Sequence, residues 1–599
     1  LTNLLLFILA MEINTLRVES SLWIGNQRYR ATLSGWYFSW TELDKKNREK
    51  KTVSVPVAEV IGVEDGRVEV QPQKKVEDTD REFTLFYVKR SGRGSSQKGL
   101  WSLGRTHFRC PSRDLRDQWV TQLRTALKTH SPSRPHKLLV FINPFGGKKR
   151  GKQIYHSLVA PLLELAGISS HVVVTERANQ ARDHILKKDL TGFDGVVCVG
   201  GDGMFSELLH GVIGRTQQEA GLSEHDSSGV LQSCDLHIGI IPAGSTDCVC
   251  FATVGVNDPV TSALHIIIGD SQPLDVCAVH HKSSLVRYSV SLVGYGFYGD
   301  VLAESERHRW MGPLRYDYAG CMVYLCNQSY QGTVQFLRAD PGLSSPRDKT
   351  RCLSGCSVCS ESKERLFPLS DSCSLYSDKL SQYSEQSEGE WTSVSGRFKS
   401  ISLTCMSSSC PKSPLGLSPS AHLADGTGDL ILVRDTNPLA FLTYLHRHTT
   451  SQDQFDLPFV EVHRVKAVRF SLPLGEEDEE DERTEQNIEE GVMEHPDKPC
   501  VQSPSRSISQ QHLAGPARER GTPNNRKKRD FLCGLCCSKP PAVSVWNCDG
   551  ELLPHTEISC RVHGQLVRLY ARGIEDELRI WGLCEDSRNC NGKCVLHSQ

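Results

Sequence analysis

Three turns rich in glycine and polar residues carry the clearest chemical signal in this chain of 599 residues. They read NPFGGK at residues 143–148, GGDG at 200–203 and PAGSTD at 242–247. Each follows an apolar run that is typical of a strand buried on both faces. Glycine lets backbone N–H groups approach phosphate oxygens, and the N-terminus of a following helix favours negative charge. One such turn usually reflects tight packing alone, whereas three in succession indicate a phosphate-binding edge.

Asp202 is the acid in these turns that is best placed to act as a general base. A primary hydroxyl is a poor nucleophile at neutral pH, and a carboxylate within hydrogen-bond reach can accept its proton during attack on phosphorus. Asp202 lies between two glycines at a predicted strand end. The alternative role is an N-cap for the helix predicted over 204–213, which Asp often provides. Because an N-cap alone does not explain three glycine turns, we expect Asp202 to accept the proton.

Strands and helices alternate around the three turns, which predicts a parallel α/β sheet. The expected strands are 138–142, 171–175, 196–199 and 238–241, and the expected helices are 154–165, 178–188 and 204–213. Parallel sheets bind ligands outside the carboxyl ends of their strands, so the turns should meet at one edge. No G-x-x-x-x-G-K-[ST] sequence occurs, and the predicted phosphate turns lack the G-x-G-x-x-G spacing of dinucleotide folds. We assign this Rossmann-like nucleotide-binding lobe to residues 136–270.

Strand-like segments dominate after residue 270, which predicts a β-sandwich lobe over 271–474 and 541–585. The fold class is therefore α/β plus β. Two low-complexity stretches, 342–390 and 475–540, are expected to be disordered inserts, because they cannot bury enough apolar area to offset chain entropy. Residues 1–11 are interpreted as an extension of doubtful origin, and their apolar run is too short to span a bilayer.

Residues 12–130 combine short strands with one amphipathic helix over 113–127, and this pattern resembles a pleckstrin-homology domain, a β-barrel closed by a C-terminal helix. The helix carries Leu115, Trp119, Leu123 and Leu127 on one stripe. Two loop clusters are basic: Lys45, Lys46, Arg48, Lys50 and Lys51, then Lys89, Arg90, Arg93 and Lys98. Such clusters suit anionic headgroups, at about 1 kcal/mol per basic residue near a membrane surface. Ordinary solvated loop charges are the alternative.

Composition narrows the remaining classes of partner and chemistry. The net charge of −2 gives no overall field that favours nucleic acid, and we expect none as a partner. With no signal peptide, the 23 cysteines are expected in a reducing compartment. Cys352, Cys356 and Cys359 have zinc-like spacing, and the candidates for a fourth ligand are Cys405, Cys410, Cys533, Cys536, Cys537 and Cys548. Membrane association, redox sensitivity or no role at all stay open for this motif.

The combination of NPFGGK, GGDGMFSE and PAGSTD resembles the catalytic domain of the diacylglycerol/sphingolipid kinase family. Sphingosine kinases usually show SGDG and lack an N-terminal domain of this kind, so the chain looks most like the ceramide kinases within that family. The resemblance extends to WNCDGE at 546–551 and breaks in residues 1–10 and in the two inserts. It implies transfer of the γ-phosphoryl group of ATP to the primary hydroxyl of ceramide, which yields ceramide 1-phosphate. The β-rich lobe would then form the lipid site.

Chemistry and resemblance together assign the remaining site residues. The ATP-binding candidates are Asn143, Pro144, Phe145, Gly146, Gly147, Lys148, Glu176, Glu207, Gly244, Ser245, Thr246, Arg309, Arg315, Asp549, Gly550 and Glu551. The substrate-binding candidates are Gly200, Gly201, Gly203 and Asp300. Glu207 has a solvated helix face as its alternative. Mg²⁺ is expected on the ATP phosphates, and Ca²⁺ is a candidate regulator.

Three alternatives stay open at this point: a different lipid substrate such as sphingosine or diacylglycerol, a soluble metabolite, and a non-catalytic lipid-binding scaffold. The resemblance also implies a calmodulin-binding segment at 441–448, for which an ordinary core helix is the alternative. The expected location is the cytoplasm and the cytoplasmic face of a membrane such as the Golgi or the plasma membrane.

Overall fold

The computed structural model describes residues 18–66, 80–91, 99–147, 149–312, 314–339, 345–367, 390–450, 452–473 and 543–575. Several predictions lie outside these residues: the extension 1–11, the insert 475–540, Lys148, Arg93, Lys98, Cys533, Cys536 and Cys537. The predicted α/β plus β architecture with an N-terminal pleckstrin-homology-like domain is confirmed.

The N-terminal domain is one antiparallel sheet in the order β4-β3-β2-β1-β7-β6-β5, closed by the helix Arg113–His130. Its strands are β1 (Val18–Ile24), β2 (Gln27–Leu33), β3 (Tyr37–Leu43), β4 (Glu49–Pro56), β5 (Val60–Asp65), β6 (Glu82–Arg90) and β7 (Trp101–Arg109), with a short 3-10 helix Val57–Glu59 before β5. Trp119 is fully buried and packs edge-on against Phe38 with ring centroids 5.5 Å apart. The predicted apolar stripe of the helix therefore packs against the core of this sheet.

The nucleotide-binding lobe contains four parallel strands in the order β11-β10-β8-β9. They are β8 (Lys137–Ile142), β9 (Ser169–Val174), β10 (Gly195–Gly200) and β11 (His237–Pro242). The helices are Gly151–Ile154 and Ala160–Leu165, joined by a π turn Tyr155–Val159, then Gln180–Lys187, Asp202–Ala220, Cys248–Val254 and Pro259–Ile268. The predicted strands lie within about two residues of those observed, since their continuous apolar runs fill a sheet covered on both faces.

The strand order reverses between β8 and β10, so the helices that follow these strands pack on opposite faces of the sheet. Such a reversal opens a crevice at the carboxyl ends of the two strands. The turns at 143–148 and 200–203 begin at this crevice. Topology thus places two of the three glycine turns where parallel sheets bind their ligands.

The β-rich lobe continues from the same hydrogen-bonded sheet through β21, which pairs with both β11 and β12. Its strands are β12 (Ser271–His281), β13 (Ser284–Ser289), β14 (Val293–Gly296), β15 (Tyr330–Arg338), β16 (Trp391–Thr404), β17 (Gly428–Arg434), β18 (Val460–Ser471), β19 (Trp546–Cys548), β20 (Glu551–Leu552) and β21 (Ile558–Tyr570). The long strands β16 and β18 each pair with β15 along one half and with β17 along the other. These four strands close on themselves around a core of Val334, Phe398, Leu430 and Val465.

Helices also occur in this lobe, where the sequence indicated mainly strands. They are Phe297–Arg307, Leu314–Cys326, Ser357–Leu366 and Pro438–Arg447, with a 3-10 turn Arg309–Met311. The prediction of disorder across 342–390 is wrong for residues 345–367, which include one of these helices. Cys359 on that helix is buried, and the Ser354 N–H donates to the Ile574 carbonyl at 2.8 Å. Burial against the end of the β lobe orders a segment whose composition alone is polar.

The N-terminal domain packs directly on the catalytic lobes through a buried ionic network. Arg90 donates to both carboxylate oxygens of Glu59 at 2.7 Å and to Glu575 at 2.9 Å. Arg572 also donates to Glu59, and the indole of Trp101 donates to Glu575. The assignment of Arg90 to a membrane-facing cluster is therefore wrong, since its guanidinium is already paired inside the protein.

Within the described residues, no single helix has the length and apolar composition needed to cross a membrane. The pair Cys248–Val254 and Pro259–Ile268, bent by 57°, passes the same test when its two helices are taken together.

Candidate active site

The three glycine turns meet backbone to backbone at the carboxyl edge of the parallel strands. Gly147 has φ +54°, and a Cβ built on it would overlap the Ala243 carbonyl oxygen. A Cβ on Gly244 would lie 2.6 Å from the Cα of Gly201. The side-chain oxygen of Asn143 accepts the N–H groups of the next residues in its own turn, at 2.9 and 3.0 Å. Close approach thus requires glycine in all three turns, as their spacing predicted.

Asp202 is the first residue of the helix Asp202–Ala220, but its carboxylate does not cap that helix. One carboxylate oxygen accepts the Cys248 N–H at 3.1 Å, and the other accepts the Val249 N–H at 3.0 Å. Both donors belong to the first turn of the neighbouring helix Cys248–Val254. The N-cap alternative for the helix that follows Asp202 is therefore wrong, and the side chain is oriented across the crevice.

The environment of Asp202 raises the pKa of its carboxyl group above that of an ordinary aspartate. Burial is the largest cause and raises the pKa of Asp202, the two backbone N–H groups oppose it, and the negative charge of Asp549 raises it further. Within the described part of the chain, Asp202 forms no salt bridge. A raised pKa makes this carboxylate a stronger proton acceptor than an ordinary aspartate, which suits the role of general base.

Asp247 is a buried carboxyl group beside the partly buried Asp202, and the sequence assigned it no role. It is 8% exposed, adopts φ +52° and accepts the Gly244 N–H at 3.0 and 3.1 Å. Burial, followed by the charge of Asp202, raises its pKa to about 7. The PAGSTD sequence contains this signal in principle, because an aspartate at the end of a glycine turn can accept N–H groups of that turn.

Asp549 comes from the far end of the chain and lies on the opposite wall. Its carboxylate accepts the backbone N–H groups of Val290, Ser291 and Leu292 and the hydroxyl of Ser289, at 2.7 to 3.1 Å. Burial is the largest cause that raises its pKa, and these donors oppose the rise. Four donors on one carboxylate fix it firmly at the mouth of the β lobe.

A cleft of about 820 Å³ runs between the glycine turns and the β lobe. It is lined by most of the predicted residues: Asn143, Phe145, Gly146, Gly147, Gly201, Asp202, Gly203, Glu207, Gly244, Ser245, Thr246, Arg309, Arg315, Asp549, Gly550 and Glu551. One cleft therefore brings together residues that are separated by up to about 400 positions in the sequence, as expected for ligands of a site between two lobes.

Four of the predicted residues that the structure describes do not line the cleft. Pro144 and Gly200 belong to the glycine turns but are not among the lining residues, and Glu176 lies after β9, where its N–H donates to Gln180 at 2.7 Å. Asp300 is bound by the hydroxyls of Tyr330 at 2.7 Å and Ser544 at 2.5 Å. Burial raises the pKa of Asp300. It lies in the first turn of the helix Phe297–Arg307 and is not among the residues that line the cleft, so its predicted contact with substrate has no geometric support.

The polar rim of the cleft pairs its acids with arginines. Glu306 contacts both Arg309 and Arg315, whose side chains are 72% and 19% exposed. Glu551 accepts a hydrogen bond from Arg287 at 2.6 Å, and Arg287 also donates to the Ser206 hydroxyl at 2.9 Å. Glu306 and Arg287 were not predicted. Arg287 contacts Glu551, which is far away in the sequence, and Glu306 contacts Arg309 one turn further along an exposed segment.

Glu207 lies one turn beyond Asp202 and is half-buried. It accepts the Ala181 N–H at 3.2 Å, and burial is the largest cause that raises its pKa. The alternative of a solvated helix face is therefore wrong.

One wall of the cleft is apolar and was also not predicted. Tyr298, Val301 and Leu302 on the helix Phe297–Arg307 face the cleft together with Leu292. The adjoining 3-10 turn exposes Trp310, whose side chain is 82% accessible. The site thus combines a polar, glycine-lined half with an apolar half.

The chain matches known proteins along most of its length. Residues 18–123 match the family described as the ceramide kinase PH domain, residues 137–279 the diacylglycerol kinase catalytic domain, and residues 292–498 the ceramide kinase C-terminal domain. The chain is 43% identical over 571 residues to the ceramide kinase of Homo sapiens, across 93% of this chain and 97% of that protein. The chain belongs to the ceramide kinase family. The Mus musculus ceramide kinase is 46% identical over 495 residues, across 83% and 84% of the two chains.

Membership of the ceramide kinase family makes the protein a lipid kinase that carries out ATP-dependent phosphoryl transfer, a reaction that uses a divalent metal. The residues present fit such a cation. Asp202 and Asp549 bear carboxylates within electrostatic reach of each other, and Asp247 lies behind Asp202. Adjacent carboxylates repel unless they are protonated or share a cation, and oxygen ligands are those that Mg²⁺ prefers.

Proposed function

We propose that the cleft transfers the γ-phosphoryl group of MgATP to the primary hydroxyl of ceramide and releases ceramide 1-phosphate, with Asp202 as the proton acceptor. The observation that carries this proposal is the position of Asp202. Its carboxylate lies where the glycine turns meet the apolar wall, and two backbone N–H groups hold it there. A nucleotide phosphate and a lipid hydroxyl can reach the same carboxylate only at this junction.

The glycine turns are the proposed phosphate cradle. The backbones of Gly147, Gly201 and Gly244 lie in contact and leave no room for side chains, so a polyphosphate can approach main-chain N–H groups. Ser245 and Thr246 are exposed at the rim of the cradle, where their hydroxyls can bond phosphate oxygens. Arg315 is largely buried beside the cleft and is suited to the transferring phosphate.

Mg²⁺ is the proposed metal, which the ATP phosphates would hold together with the carboxylates of Asp549 and Asp202. The cation would neutralise charge that develops on the phosphoryl group. Asp202 then accepts the hydroxyl proton as the lipid oxygen attacks phosphorus, while the phosphate cradle holds the departing ADP. Ca²⁺ remains a proposed regulator, for which the described residues offer no separate argument.

The apolar wall is the proposed lipid side. Val301 and Leu302 face the cleft, and Tyr298 adds an aromatic ring beside them. The helix that carries them ends three residues before Trp310, an exposed aromatic side chain. A membrane lipid can place its hydroxyl at Asp202 while its chains stay against this wall, whereas a soluble metabolite gains nothing from such a surface.

Membrane association through the N-terminal domain completes the proposal, with anionic headgroups as the partner and the cytoplasmic face of the Golgi or plasma membrane as the location. Lys45, Lys46 and Lys51 are exposed around the β3–β4 turn and can meet a headgroup. A calmodulin contact at 441–448 has less support. Phe441 and Tyr444 are buried in the core of the helix Pro438–Arg447, which would have to detach.

Substrate choice is tested with purified protein, labelled ATP and Mg²⁺, and with ceramide, sphingosine or diacylglycerol presented in separate detergent micelles. We expect phosphate on ceramide well above the other two lipids. Equal or greater turnover of sphingosine or diacylglycerol would assign a different lipid to the same cleft. Lipid-dependent ATP binding without turnover of any of the three would favour the non-catalytic scaffold.

A further inference from the structure

Three cysteines and one histidine converge on the far side of the helix Cys248–Val254 from the cleft. Cys352, Cys356 and Cys359 come from the segment 345–367, which is inserted between β15 and β16. His422 comes from the loop between β16 and β17, more than sixty residues later. Their four ligand atoms lie within 4.8 Å of one another, and Cys359 and His422 are buried.

We propose that Cys352, Cys356, Cys359 and His422 bind one Zn²⁺ ion as a closed structural site. Neither the family resemblance nor the matched domains assign a metal to these residues. The ligand set is Cys₃His, and no position is left for water or substrate, as in structural zinc sites of other proteins.

The geometry fits a tetrahedral ion. The Sγ atoms of Cys352 and Cys359 are 3.6 Å apart, and Cys356 Sγ lies 3.3 Å from Nδ1 of His422. Sulfur ligands at about 2.3 Å from zinc in a tetrahedron lie roughly 3.8 Å from one another, and a sulfur and a nitrogen ligand lie slightly closer. The two observed separations therefore match opposite edges of one zinc tetrahedron.

Two neighbouring groups contact the proposed ligand side chains. The hydroxyl of Thr350 lies 3.4 Å from Nε2 of His422, which leaves Nδ1 to face the sulfur atoms. The N–H of Leu423 donates to Cys352 Sγ at 3.5 Å.

The fourth ligand corrects the expectation from sequence. Cys405 and Cys548 are buried elsewhere, in the core of the β lobe, and Cys410 pairs with Ser413 in a separate turn. Spacing rules search for a second cysteine pair, and a lone histidine after a long gap gives no such pattern. Only the folding of the 421–427 loop onto the inserted segment brings His422 to the three cysteines.

The site would fasten the inserted segment to the wall behind the catalytic base. Cys352 and Cys356 pack with Leu423 against the core that contains Ala252. Ala252 is on the helix whose first N–H groups, those of Cys248 and Val249, hold Asp202. The metal would act at a distance through packing and would touch neither ATP nor lipid.

The test measures metal content of the full chain, purified without chelators, by mass spectrometry of the elements. We expect one zinc per chain in the wild type and in the control Cys321→Ser, which changes an exposed cysteine outside the cluster. Cys356→Ser and His422→Ala should lose the tightly bound zinc. The same variants should show a lower melting temperature than the control.

A second measurement uses only wild-type protein, so its result does not depend on whether the variants fold. Wild-type protein stripped of zinc and titrated with Co²⁺ should develop the visible bands of a tetrahedral thiolate site at one equivalent. Wild-type protein that contains no zinc and gives no such bands would overturn the proposal. So would a Cys352–Cys359 disulfide in freshly purified protein, or zinc that is retained in both Cys356→Ser and His422→Ala.

Discussion

Replacing Arg90 with methionine should weaken the packing of the N-terminal domain against the catalytic lobes. Its guanidinium donates to Glu59, which is 6% exposed, and to Glu575, whose side chain is 10% exposed. Burial alone would raise the pKa of Glu59, but the hydrogen bonds and charges of Arg90 and Arg572 hold it below its usual range. Removing one partner of a buried ion pair costs about 3–5 kcal/mol, because the other charge stays buried.

The lower end of that range applies here, since Arg572 still donates to Glu59. We therefore expect Arg90→Met to lower the free energy of unfolding by about 3 kcal/mol. Because the pKa of Glu59 is lowered in the folded protein, this stabilisation is present above its unfolded pKa and is lost as the pH falls through the folded one. The difference between wild type and variant should shrink in acid.

Denaturant unfolding followed by tryptophan fluorescence measures the change, and hydrogen exchange locates it. Faster exchange is expected in β7 and at 571–575, the two sides of the interface. Arg28→Met is the matched control, because Arg28 is an exposed arginine of the same domain. The double variant Arg90→Met/Glu575→Gln should recover part of the loss, as contacting residues are not additive. A loss below about 1 kcal/mol, or one equal to the control, would refute the buried ionic interface.

Three further changes probe the cleft. Asp247→Asn should flatten the pH dependence of stability in metal-free protein. Because the pKa of Asp247 is about 7 in the folded protein, the wild type loses stability as the pH rises from the unfolded pKa toward 7, by up to roughly 4 kcal/mol. Melting temperatures of wild type and variant that change equally from pH 4 to 8 would contradict this. Asp549→Asn places an amide N–H where a carboxylate oxygen accepts at least one backbone donor, such as the Val290 N–H, so a loss of about 1–3 kcal/mol in stability and weaker MgATP binding by calorimetry are expected; unchanged affinity would remove Asp549 from the ATP site. Val301→Asp should raise KM for the lipid about tenfold while KM for ATP stays constant, because covering a valine side chain with lipid contributes about 1.5 kcal/mol to binding. An equal rise in both KM values would place the lipid elsewhere.

The parallel sheet could be predicted from sequence because its information is local. Strands β8, β10 and β11 are apolar runs followed by a glycine turn, and both features are visible within about ten residues, whereas β9 is a partly exposed strand without such a turn. The helix Pro259–Ile268, in contrast, was not predicted, because it is buried almost throughout and has no polar face to mark a helical period. The closed β16–β15–β18–β17 arrangement depends on pairings across long gaps, which no local pattern encodes.

The functional site also combines residues that could be predicted from the local sequence with residues that could not. The glycine turns and Asp202 are local signals, and the structure brings them together as expected. The direction of the Asp202 carboxylate was not predictable, because its partners are backbone N–H groups of a helix that begins 46 residues later. Arg287 and His422 are likewise significant only through contacts with distant residues, so their sequence surroundings look ordinary.

The most direct test of the account is single-turnover phosphorylation of ceramide by Asp202→Asn under saturating MgATP. A positioned general base contributes about 10²–10⁴-fold, so the rate should fall by at least about 100-fold. ATP affinity measured without Mg²⁺ serves as a control and should change little, and the melting temperature should fall only modestly, because the asparagine oxygen still accepts one of the two N–H groups. A variant that phosphorylates ceramide at close to the wild-type rate would contradict the assignment of Asp202 as the proton acceptor.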